Sequence, residues 1–171
     1  MEFLKTTRSR RGFGSIYELK TSKGLVYLQY VKDSDEEVPL VRILADFYYK
    51  RPINLAAVAN RREQFWIHLF GWDRAIEEEK LVHVGWGSPA KQMPPKYFRD
   101  AMIYKGVFKG WMVTGAQGSI RYLDHLDPSQ MRYPPSGYWN LPFLIYQLEQ
   151  GFNLTRWCAG FQVGQRIDEI E

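Results

Sequence analysis

Residues 14–44 read GSIYELKTSKGLVYLQYVKDSDEEVPLVRIL, and this stretch decides the fold. Tyr17 and Leu19 alternate with Glu18 and Lys20, so the segment has one apolar and one wet face, the period of a β-strand. Ser22, Lys23 and Gly24 supply a turn. Leu25 to Val31 is almost continuously apolar and rich in β-formers, as in a strand covered on both faces. Asp33 to Glu37 is a polar turn, and Pro39 opens a third run, Leu40 to Leu44. Three strands in succession predict a meander that curls into a sheet or a small barrel. They name an architecture and no reaction.

Outward from this meander, Asn54 is placed to cap a short helical turn through Ala59, and Phe65 to Phe70 is a deep strand. Asp73 is the expected N-cap of a helix from Arg74 to Lys80, and Leu81 to Trp86 returns as a strand. Ser88 to Pro95 is a proline-rich loop, and Lys96 to Met102 reads as a helical turn or an irregular segment. Two strands follow, around Lys109 to Thr114 and Ser119 to Leu123, joined by the Gly115–Gly118 hairpin loop. The clearest helix is Leu141 to Gln150. Asn140 caps it, Pro142 falls in its first turn, Leu141, Leu144, Ile145 and Leu148 form a stripe, and Gly151 stops it. The expected fold is β-rich α+β: a curled, mostly antiparallel sheet or SH3-like barrel with this C-terminal helix packed on it.

The 171 residues fit one domain, which can bury about 70% of its unfolded surface without disulfides. The single cysteine, Cys158, excludes an internal disulfide framework. There is no signal-peptide pattern and no apolar run near the roughly 18 residues that span a bilayer. The expectation is a cytoplasmic protein with no membrane partner. The formal net charge is +4 and the pI about 9.1. Lys5, Arg8, Arg10 and Arg11 against Glu2 give the arm 1–11 a surplus of three positive charges, so the body is nearly neutral. The tail 153–171 holds Trp157 and Phe161, expected to dock in part. Its acidic end, Asp168 to Glu171, is placed to pair with the arm.

Catalytic and metal patterns are sparse. His68, His83, His125 and Cys158 show no metal-ligand spacing, so no metal and no cofactor are expected. His68 and His83 lie in strands and read as core histidines. Asp124-His125-Leu126-Asp127 is the one local acid–histidine cluster. It would serve a hydrolase if a nucleophile stood beside it, but Ser129 lacks the elbow glycines and Asp127 reads as a turn cap. No phosphate loop or calcium loop is present. The six tryptophans and the arginines remain, the residue types that dominate protein interfaces. Candidate partner-binding residues are Arg42, Trp72, Trp86, Arg99 and Trp111. Arg42 is expected to point outward from an edge or to pair with Asp46, and Arg99 to pair with an aspartate or anchor the proline-rich loop. The alternative is a nucleic-acid-associated barrel using Arg8, Arg10 and Arg11, with tyrosines as stacking faces.

Several segments carry a family resemblance: residues 14–30 (GSIYELKTSKGLVYLQY), 39–44 (PLVRIL), 65–69, 82–85, 95–99, Gly110-Trp111, and the helix ending Glu149-Gln150-Gly151-Phe152. The pattern resembles small bacterial β-rich proteins akin to an immunity-protein family of polymorphic toxin systems, over about residues 14–152. The resemblance implies a non-enzymatic protein that binds and blocks a toxin. It assigns no residue roles, and the basic arm and the tail after Asn153 depart from it.

Overall fold

The computed structural model describes residues 12–33, 38–44, 46–88, 94–115, 117–157 and 160–169. The basic arm with Arg8, Arg10 and Arg11, the acidic turn at 34–37, part of the proline-rich loop, Cys158 and the last two residues lie outside the described residues.

The meander forms as its periodicity requires: β1 Ser15–Thr21, β2 Gly24–Asp33 and β3 Pro39–Leu44. They are followed by α1 Leu55–Ala59, β4 Glu63–Phe70, α2 Trp72–Glu77 and β5 Leu81–Trp86. The second half holds β6 Tyr97–Tyr104, β7 Val107–Gly115, β8 Ile120–Leu123, β9 Tyr138–Asn140 and α3 Leu141–Glu149. Six strands make one sheet in the order β5-β1-β2-β3-β4-β9, with β5 and β9 at its two edges. Its pairings are antiparallel except β4 with β9. The strands β6-β7-β8 make a second, antiparallel sheet. The protein is thus β-rich α+β, and the curled sheet is the form it takes.

Register explains the burial. Tyr17 stands opposite Leu28 and Leu19 opposite Val26, so their side chains share one face with Val41, Ile43, Phe65, Ile67 and Leu69. Trp72 and Ala75 of α2 and Leu141, Leu144 and Leu148 of α3 cover that face. Each large side chain buried there stabilises the fold by about 1.5–3 kcal/mol. On the opposite face, Ile16, Tyr27 and Leu44 pack under Val58 and Ala59 of α1. Farther along it, Val31, Leu40 and Trp66 meet Phe98 of the second sheet. Both faces of β2 are therefore covered, which is why its sequence is apolar without alternation. The second sheet has its own core of Phe108, Trp111, Val113 and Leu126, on which Phe161 of the tail docks.

Three local expectations change. Residues 97–104 are a strand: Phe98, Asp100 and Met102 take one face and Tyr97, Arg99 and Ala101 the other. Asp73 is not the cap of α2. Gly71, at φ 75, precedes the helix without a side-chain cap, and Trp72 turns inward at the first helical position with 2% exposure. His83 is exposed on edge strand β5, its ring edge-on to Tyr17. Asp168 accepts two 3.0 Å hydrogen bonds from Arg166, and the expected pairing of the acidic end with the arm lies outside the described residues.

Candidate functional site

Arg42 sits at the centre of the large sheet, fully buried, where an edge position was expected. Its cross-strand neighbour is Gln29, also fully buried. Arg42 Nη1 donates to Gln29 Oε1 at 2.5 Å and to the Ala59 carbonyl. Nη2 donates to the Arg61 carbonyl and to Glu63 Oε2 at 3.2 Å. Asp46 pairs instead with Arg61. Burial pushes the Arg42 guanidinium below its ordinary value, and the Glu63 carboxylate opposes that. The set ties β2, β3, β4 and the end of α1 together around one ion pair.

Arg99 has a comparable role in the second sheet. At 1% exposure its guanidinium lies 4.7 Å from the Trp111 ring centre and 4.8 Å from that of Trp157. It donates to the carbonyls of Tyr133, Met131 and Leu154. Asp100 accepts from the Ser136 hydroxyl. Arg99 therefore anchors loops of its own chain, and Trp111 is one of the plates that hold it. Trp72 is equally interior, edge-on to Tyr17 at 4.7 Å. Burial takes Arg42, Trp72, Arg99 and Trp111 off the surface.

Trp86 is the candidate left outside, with 58% of its surface exposed. It ends β5, and its indole Nε1 donates to the Phe13 carbonyl at 2.7 Å. Phe13 is itself 57% exposed, so two large rings stand at one corner. Gly14, at φ +91, makes the corner possible: a Cβ there would lie 2.6 Å from Trp86 Nε1 and from the Gly87 carbonyl. Behind the corner, Gln29 Nε2 donates to the carbonyls of Gly87 (2.7 Å) and Gly14 (3.3 Å). Arg42, which donates to the amide oxygen of the same Gln29, is thus joined through buried hydrogen bonds to Gly14 and Gly87, the chain neighbours of Phe13 and Trp86. Neither Phe13 nor Gln29 was singled out from sequence. The one readable sign was a lone glutamine in an apolar strand.

A second surface lies between the two helices that cover the sheet. A groove of about 680 Å³ is walled by α2 (Arg74, Ala75) with the following Glu78 and by α3 (Leu141, Ile145, Tyr146, Glu149), and Phe70 also lines it. Phe70 is 63% and Tyr146 57% exposed. Glu78 is flanked by Lys80 at 2.6 Å and Arg74 at 2.6 Å, which pull its carboxyl down to about 2.

The acid–histidine stretch resolves into a turn. Asp127 Oδ1 accepts from the Ser129 and Gln130 backbone N–H groups and from the Ser129 hydroxyl. These bonds hold its carboxyl below the ordinary value. His125 borders a small cavity of about 100 Å³ beside Arg99 and Trp111. Among the described residues no group of three metal-ligating side chains occurs, and no helix is long and apolar enough to cross a membrane. No family model, curated protein or solved structure matches this chain.

Proposed function

We propose that this chain is a cytoplasmic, non-enzymatic protein-binding module of the immunity-protein kind, which binds and neutralises a toxin partner through the corner built on Trp86. The observation that carries the reading is the exposed indole of Trp86, fixed by its hydrogen bond to Phe13 and backed by the buried Gln29–Arg42 pair. Tryptophan is the residue most enriched among interface hot spots. A ring held in place before binding loses little rotamer freedom on contact. The resemblance in the meander and the C-terminal helix supplies the kind of partner.

The test is a native pull-down of the tagged protein from its source cell, with and without nuclease, using wild type and Trp86→Ala. The expected result is one stoichiometric protein that survives nuclease. Its affinity falls by about 2 kcal/mol, roughly thirtyfold, in the variant, whose circular dichroism is unchanged. A second reading rests on the charge surplus of residues 1–11. Recovery of nucleic acid, with binding that falls steeply with salt and is lost on replacing Arg8, Arg10 and Arg11 by alanine, would replace the first reading with that one.

A further inference from the structure

We infer that the first half of β4 is a docking edge for an extended, acidic peptide segment of a partner protein, which adds to the sheet as a strand in line with β9. The inference rests on no part of the Trp86 reading: Trp86 ends β5, at the opposite edge of the sheet.

The first observation is an open edge. β4 runs from Glu63 to Phe70, yet β9 pairs only with His68, Leu69 and Phe70. Phe65, Trp66 and Ile67 pair with β3 on one side. On the other side they have no backbone partner among the described residues. The bulge at Gln64, where Leu44 stands opposite Glu63, ends this regular stretch. It is three residues long, about 10 Å at the rise of a strand. Unpaired N–H and C=O groups along a sheet edge are a template for another strand.

The second observation is the space beside that edge. A groove of about 520 Å³ is lined by Gln64, Phe65 and Trp66 in succession. Consecutive side chains of a strand point to opposite faces. Phe65 belongs to the core under α3, and Trp66 to the cluster with Phe98 on the other face. A groove that touches both therefore follows the edge of the strand and does not lie over one face. The chain after α3, from Phe152 to Thr155, forms the far wall and makes no backbone hydrogen bond to β4. Leu148 and Phe152 beside Phe65 offer apolar contact to alternate side chains of an incoming strand.

The third observation is charge. Arg62 and Arg132 line the groove, and neither guanidinium has a hydrogen-bond or ion-pair partner among the described residues. Glu63, the one carboxylate in the lining, is already held by Arg42. Asn153 commits its Oδ1 to the N–H groups of Thr155 and Arg156, which leaves its amide Nδ2 as a donor. Donors are in excess, so the complementary occupant brings acceptors, and a carboxylate fits the arginine fork best among side chains. An extended acidic peptide meets both demands: its main chain pairs with β4, and its carboxylates pair with the arginines. A nucleic-acid strand would satisfy the arginines but has no N–H and C=O ladder for the edge.

The test uses the full chain and a capped, fluorescein-labelled hexapeptide of alternating glutamate and valine, read by fluorescence anisotropy. The expected result is saturable binding that weakens at least about tenfold when Arg62→Ala and Arg132→Ala are combined. Both side chains are exposed, so circular dichroism should not change. The same peptide with lysine for glutamate, or with alternate backbone nitrogens methylated, should not bind. Hydrogen exchange of the edge-facing amides between Phe65 and Ile67 should slow in the complex. Trp86→Ala should leave the affinity unchanged, which separates this edge from the proposed partner corner. Absence of binding overturns the inference. So does equal binding of the methylated peptide, or a complex in which exchange at Phe65–Ile67 is unaltered. Tighter binding of an eight-residue oligothymidylate, lost in the double arginine variant, would also overturn it and give the groove to nucleic acid.

Discussion

Glu18 shows how one carboxylate organises its part of the sheet face that also carries Gln29 and Arg42. It accepts from Arg51 Nε at 2.8 Å and Nη2 at 2.9 Å, and from the Tyr27 hydroxyl at 2.9 Å. The Arg51 hydrogen bonds lower its carboxyl most, the Tyr27 bond adds to that, and burial opposes both. Burial first and the Glu18 carboxylate second hold the Tyr27 phenol well above its usual range. Arg51 is half exposed, so solvent screening leaves its pair worth no more than about 1 kcal/mol. The Tyr27 bond contributes about another 1 kcal/mol. Glu18→Gln should therefore cost about 1–2 kcal/mol at neutral pH in urea unfolding. Because the folded carboxyl lies below its ordinary 4.5, the stabilisation is complete above that value. It is lost as pH falls through the lower, folded value. The gap between wild type and variant should close in acid; a gap of constant size across the range would show that ionisation of Glu18 contributes nothing.

Among the elements, α3 is the one whose sequence and structure coincide most closely, because everything that defines it is local. Asn140 Oδ1 accepts from the Phe143 N–H at 2.9 Å, as an N-cap should. At the other end Gly151, at φ +74, lets its own N–H reach the Leu148 carbonyl and that of Phe152 reach Gln147. This double bond pattern closes the helix and delivers the Phe152 ring onto Phe65 at 4.8 Å. Asn140→Ala should lower stability by about 1 kcal/mol, read as a lower urea midpoint with an unchanged slope. A change within error would mean that packing on the sheet alone holds the first turn. Strand β6 was illegible for the opposite reason. Arg99 and Asp100 put a charge on each of its faces, which masks the period of two, and what neutralises them comes from far away. Arg99 is enclosed by Trp111, Trp157 and the Leu154 carbonyl, 55 residues along the chain. The three-residue β9 carries no pattern of its own; pairing with β4 creates it.

On the scale of the whole molecule, the same difference separates what sequence reveals from what it hides. The meander and its apolar faces were readable, since each strand's neighbour is the next in the chain. Arg42 was not, because a charged side chain belongs at the surface unless paired, and its partners on α1 and β4 are assembled only by the fold. Trp86 was legible as a candidate, but the hydrogen bonds that hold its corner were not. The two sheets have separate cores and meet through Phe98, which packs on Trp66 and lies edge-on to His68 at 5.2 Å. Native-state hydrogen exchange should therefore show two classes of protection. The amides of β1 to β4 should open only on global unfolding, and those of β7 and β8 at a lower free energy. A single class shared by both sheets would show that Phe98 and Arg99 weld them into one cooperative unit.

The parallel pairing of β9 with β4 also sets an order of assembly. Leu69 stands beside Trp139, so the sheet receives its last strand some seventy residues after the one it pairs with. A chain leaving the ribosome can zip β1 to β4 as successive hairpins, contacts that are short in sequence and quick to form. The Phe65 ring, however, waits for Trp139 at 5.8 Å and Phe152 at 4.8 Å, both made more than seventy residues later. Until they arrive, α2 alone covers that face, and the nascent protein carries a half-covered apolar sheet, the kind of surface on which newly made chains aggregate or recruit chaperones.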